Sequence, residues 1–110
     1  MPGSSSKNIA PGVKIVILEE AQRHFETKDA WWREHRDEKE LFTNEFEQAL
    51  RRIVAFPSHG QRYRVARGKQ VQRVLMKKTL CHVYYWHSAK EDSIEIHAIW
   101  GAIRRRGPRL

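Results

Sequence analysis

Between Gln61 and Trp100 the sequence sets four strand-like runs behind links of only a few residues, and this spacing limits the fold more than any other feature. The runs are Gln61–Ala66 and residues 71–76, 80–86 and 93–100, separated by a turn at Gly68, by Lys77-Lys78-Thr79, and by residues 89–92. A parallel crossover takes about a dozen residues or more, so links this short predict antiparallel neighbours and a meander.

Ahead of the meander the pattern differs. Residues 13–18 (VKIVIL) are almost continuously apolar and rich in β-branched side chains, which reads as a strand buried on both faces rather than an edge. From Glu19 the period becomes helical, with Ala21, Phe25, Lys28 and Trp32 on one stripe and Glu19 and Glu20 at the positive end of the helix dipole. The polar stretch 35–40 marks a break. A second helix follows from Phe42, Phe46, Ala49, Leu50 and Ile53, with Arg51 and Arg52 near its end and Pro57 stopping it. The expected fold is α+β, ordered β-α-α-β-β-β(-β), with an N-terminal strand and an α-hairpin packed on one face of a small, mainly antiparallel sheet. At 110 residues there is room for one domain, spanning 13–110, behind a Gly/Ser/Pro-rich flexible leader at 1–12 that has no apolar core of a secretory signal.

Charge divides the chain at the same place as secondary structure. Residues 13–56 carry eight basic and ten acidic side chains, whereas residues 57–110 carry twelve basic and only three acidic. The strand-rich half is therefore a cationic surface that attracts polyanions: nucleic acid, an acidic protein or an anionic membrane surface. No apolar run approaches the roughly 18 residues a membrane-spanning helix needs, so no membrane partner is expected. The lone Cys81 rules out an internal disulfide and a CxxC metal site, and suits a reducing cytoplasm.

Alternation assigns the faces. In the last strand Ile94, Ile96, Ala98 and Trp100 should point one way, and Glu95, His97 and Ile99 the other. In the strand before it, Cys81, Val83 and Tyr85 should meet the helices, leaving His82, Tyr84 and Trp86 on the open face. Placing Val74 and Met76 inward sends Arg73 and Lys77 outward. The open face should then display Arg73, Lys77, His82, Tyr84, Trp86 and His97, bordered by Arg104, Arg105 and Arg106.

Read together, the hairpin VQRVLMKKTLCHVYYWH (71–87) and the ending HAIWGAIRRRGPRL (97–110) resemble the RelE/ParE superfamily, the toxins of type II toxin–antitoxin pairs. The resemblance extends over 13–110. It rests on the order of a basic-Thr turn (Lys78-Thr79), an HVYY strand (82–85), an Ala98-Ile99-Trp100 strand, and Arg104 with Gly107-Pro108, which is closest to ParE-like members. Many relatives carry a His directly after that Trp, and this chain has Gly101 there.

What the resemblance implies is a toxin that poisons DNA gyrase without cutting a substrate. It also implies a cognate antitoxin, encoded alongside, whose acidic and apolar C-terminal segment wraps the toxin; the complex then binds operator DNA through the antitoxin. The residues expected to meet the antitoxin are Arg73, Lys77, Lys78, Arg104, Arg105 and Arg106. RelE-type members are instead ribosome-dependent mRNA endonucleases. For that reading Arg73, His82, Tyr84 and His97 would supply the base, the acid and the cation for the phosphorane. The strand where RelE proper places basic catalytic residues reads Val74-Leu75-Met76, so the carried-over catalytic set is incomplete. A member that binds an antitoxin without being toxic also stays open, through Gly101. No cofactor is called for, and six histidines without a helical His-x₃-His pair do not suggest a metal.

Each of these residues has a plainer reading. His82 and His97 can be strand histidines among aromatics, Tyr84 and Tyr85 can fill the sheet faces, and the arginine run can be a solvated tail. Of the adjacent Trp31 and Trp32, Trp32 should enter the core, leaving Trp31 to shield the hairpin or to offer a docking surface.

Overall fold

In the computed structural model, which describes residues 13–103, 106–108 and 110, the elements run β1 (Lys14–Ile17), α1 (Glu19–His35), α2 (Leu41–Ala55), a 3-10 turn (Pro57–His59), β2 (Gln61–Ala66), β3 (Lys69–Met76), β4 (Cys81–Ser88) and β5 (Ser93–Gly101). The expected leader at 1–12 lies outside the described residues. β2 to β5 form the antiparallel meander, and β1 joins β5 in parallel to give the sheet order β1-β5-β4-β3-β2. The fold is α+β as the pattern predicts, with the helical hairpin on one face.

The two helices meet the sheet through an apolar layer in which Phe42, Ala49, Ile53, Met76, Val83, Tyr85, Ile94, Ile96 and Ile99 are almost wholly buried. Phe25 of α1 packs on Phe42 and Phe46 of α2, with ring centroids 5.4 and 5.1 Å apart. Each such side chain contributes about 1.5–3 kcal/mol on leaving water. A polar clasp adds to the hairpin: Asp29 accepts from Thr43 Oγ1 at 2.8 Å and from Arg33 Nε at 2.9 Å. Trp32 packs against this core, and Trp31 stays 44% exposed, as expected.

Two expectations fail. β1 is an edge strand, not a central one, because its single neighbour is β5. With only four residues it turns Ile15 and Ile17 to the core, so its apolar run signals one covered face rather than two. The second failure is in β5. Tyr84 pairs with Ala98 but Tyr85 pairs with Ile96, so His97 is an extra residue, a β-bulge. Beyond it the faces exchange: Ile99 is buried against the helices, while Ala98 and Trp100 turn to the opposite face. β5 also outruns β1 here. Its Ile99 N–H donates to His24 Nδ1 of α1 at 3.2 Å, so a side chain takes the place of a neighbouring strand.

The loops are pinned by specific chemistry. Arg67 and Gly68 both have positive φ, 55° and 77°, the geometry of a two-residue type I′ hairpin turn. Glu45 of α2 accepts from Lys78 N, Thr79 N and Thr79 Oγ1 at 2.7–2.9 Å, so the Lys78-Thr79 turn is held by a helix carboxylate. Gly60 lies against the Tyr85 ring so closely that a Cβ there would overlap the hydroxyl, which donates to Pro57 O at 2.6 Å.

Candidate functional site

The face away from the helices carries Tyr63, Tyr84 and Trp100 together with Arg64 and Arg73. β3 contributes Arg73 and β4 contributes Tyr84 directly across from it, and both turn outward because the pleat sends Val74 and Val83 to the helices. Arg73 Nε donates to Gln61 Oε1 at 2.8 Å, and its Nη1 donates to Tyr84 Oη at 3.4 Å. Its guanidinium also lies 5.2 Å from the Tyr63 ring centroid, and Tyr63 meets Tyr84 edge-on at 4.8 Å. His82 stands edge-on to Tyr84 at 6.0 Å; burial first, and then the Arg73 charge, hold its pKa below the ordinary histidine value. Its imidazole is therefore neutral at pH 7.

This face is not open in the way alternation suggests. Val71 and Ala98 are fully buried, and Tyr84 is only 2% exposed. The chain's own end covers them. Trp100 Nε1 donates to Arg106 O at 2.7 Å, and Arg64 reaches Pro108 O at 3.4 Å. Pro108 is buried and Leu110 packs against the small cluster of Val71, Tyr84 and Ala98. Gly107 lies so close to the Tyr63 hydroxyl that a Cβ would collide with it. Beside this crossing, Tyr63, Arg73, His82, Tyr84, Trp100 and Arg106 frame a cleft of about 140 Å³. This is smaller than the roughly 300 Å³ and more of common ligand pockets.

His97, expected beside the other three, belongs to a separate cleft with Leu18, Glu20, Arg67 and Leu110. Its Nε2 lies 3.2 Å from Glu95 Oε1, and Lys69 Nζ holds the same oxygen at 3.1 Å while sitting 4.4 Å from the Trp86 ring centroid. Burial lowers the His97 pKa despite Glu95. Burial alone would raise Glu95, but Lys69 and then His97 bring it below its usual value. At neutral pH the arrangement is a carboxylate compensated by Lys69, next to a neutral imidazole.

Of the residues expected to contact an antitoxin, Lys77 and Lys78 are exposed at the β3–β4 tip, Arg106 is exposed on the C-terminal segment, and Arg73 is half-buried in the cleft. Arg104 and Arg105 lie outside the described residues. Sequence reasoning missed Tyr63, whose position in a bulge of β2 (the register shifts between Arg62 and Arg64) hides it from alternation, and Trp100, which the β5 bulge re-aims. Among the described residues no group of His, Cys, Asp or Glu could hold a metal ion, and no helix is long and apolar enough to cross a membrane. No family model matches the chain, and no curated protein matches it.

Proposed function

We propose that this chain is the toxin of a type II toxin–antitoxin pair, ParE-like in kind, acting in the cytoplasm by poisoning DNA gyrase and neutralised by a cognate antitoxin. The sequence resemblance supplies the family. The observation that favours binding over cutting is that His97 stands apart from the other three candidate catalytic residues. Arg73 and Tyr84 are hydrogen-bonded to each other beside a covered cleft, and His97 lines a different one next to Glu95. Nuclease chemistry needs base, acid and cation around one phosphate. The cationic strand-rich half instead suits a partner with acidic and apolar segments, which fold as they bind. Operator DNA would be bound by the toxin–antitoxin complex through the antitoxin.

Purified protein should trap gyrase–DNA cleavage complexes and leave ribosome-bound mRNA intact. Gyrase activity unchanged at excess toxin would defeat this reading. A RelE-like endonuclease is the second reading, favoured by one feature: a neutral His82 near Tyr84 and Arg73 at a common cleft. Under it, mRNA is cut on ribosomes and His82→Ala with Tyr84→Phe abolishes cutting. Expression without growth arrest would leave a non-toxic antitoxin-binding member.

A further inference from the structure

Four-residue loops join β3 to β4 and β4 to β5, and both close with their last residue in the left-handed region: Leu80 at φ 57° and Asp92 at φ 51°. Asp tolerates that region because its short polar side chain bonds locally, whereas a bulky apolar residue there is strained. Leu80 does not recover the strain by burial, since it is 50% exposed. Nor can the loop relax. Leu80 N donates to Met76 O and Leu80 O accepts from Ala102 N, both at 2.8 Å, while Glu45 grips the two preceding residues. The bond from Ala102 draws the segment after β5 alongside the tip, where Ile103 is 83% exposed. Lys77 and Lys78, both exposed, precede this apolar pair.

A strained residue held outward by a rigid frame points to a contact outside the chain. We propose that Leu80 and Ile103 are the apolar anchors by which a neutralising protein grips the toxin, through an acidic amphipathic segment whose carboxylates meet Lys77 and Lys78. This rests on the toxin reading above and adds the apolar residues and the site of grip. Charge selects the occupant. A second copy would set Lys77 and Lys78 against their own counterparts, and duplex DNA would satisfy the lysines but offer nothing to Leu80 and Ile103.

The test uses the full chain, its Leu80→Asn and Ile103→Ser variants, and the purified product of the reading frame adjoining this one, with binding read by calorimetry and stability by urea unfolding. Asn accepts the left-handed region, so Leu80→Asn should keep or raise the urea midpoint while weakening binding about tenfold or more. Ile103→Ser should weaken binding without moving the midpoint. Unchanged affinity in both variants, with tight wild-type binding, overturns the anchors and leaves the toxin reading intact. Absence of wild-type binding overturns the neutralising partner itself, and the anchors with it. If Leu80→Asn unfolds more easily, Ile103→Ser decides alone, and unchanged affinity there defeats the proposal. Weakened binding to phosphatidylserine vesicles or to duplex DNA, with protein binding intact, shows that the occupant is wrong.

Discussion

Among the described residues, twelve buried side chains from both helices and three strands close one face of the sheet, whereas the other buries Val71, Tyr84, Ala98 and Pro108, packed against by Tyr63, Ala66, Trp100 and Leu110. The first closure is made by helices whose burial is needed for any fold at all. The second is made by a short C-terminal segment holding on through a few hydrogen bonds and one close glycine contact. Cooperative stability therefore belongs to the helix side, and local opening belongs to the other. That division suits the proposed role, in which the cationic face receives a partner.

The sharpest way to break this comparison is to weaken each face and compare the costs. Phe42→Ala removes a fully buried ring between α1, α2 and the sheet, and should cost about 3–5 kcal/mol in urea unfolding, enough to threaten folding of a domain this size. Glu45→Ala comes next. It leaves Lys78 N, Thr79 N and the Thr79 hydroxyl without their acceptor, and should cost about 1.5–3 kcal/mol. If the loss at Glu45 were negligible, the β3–β4 tip would not be the rigid frame described for Leu80.

How much of this was readable in the sequence depends on where the side-chain period holds. Element order, the antiparallel meander and the helix stripes follow from runs and turns, and Phe42, Phe46, Ala49 and Ile53 are buried as their spacing predicts. The faces of β4 also follow from alternation. β5 fails because a bulge is a single extra residue, and strict alternation carries the wrong face to every position beyond it. A trace was present: Ile94 and Ile96 are two apart, but the next isoleucine, Ile99, is three further on. The covering of the second face had no such trace, since Gly107-Pro108 reads as a loop whether it is solvated or seated on Tyr63. Of the catalytic candidates only His97, the bulge residue, parts from the others, into the cleft with Leu18 and Glu20.

A smaller effect is expected on the second face. Trp100→Phe keeps most of the ring but removes the donor to Arg106 O, so it should cost about 1 kcal/mol or less. Hydrogen exchange should show faster opening of the C-terminal segment while the amides of β4 and its partners under the helices stay protected. A loss comparable to that of Phe42→Ala would mean that both faces fold as one unit, and the contrast between them would disappear.

The smallest effect is a slope with pH, and its sign follows from three histidines. His24, His82 and His97 all have pKa values lowered from 6.5, chiefly by burial, so the folded state prefers each of them neutral. Their contribution is fully present above pH 6.5 and is lost as pH falls below it toward the folded values, because the unfolded chain takes up protons first. The urea midpoint should therefore drop between pH 7 and pH 5, before Glu95, whose lowered pKa places its own loss below 4.5, begins to matter. His24 separates the two faces in this experiment. Its Nδ1 accepts the Ile99 N–H at the end of β5 and its ring meets Trp100 at 5.4 Å, so protonating Nδ1 removes an acceptor on which the strand end depends. His24→Gln, whose amide oxygen can accept the same bond without titrating, should flatten the slope more than His82→Gln does. If His82→Gln flattens it more, the acid-sensitive element is the cleft under the C-terminal segment rather than the junction of α1 with β5.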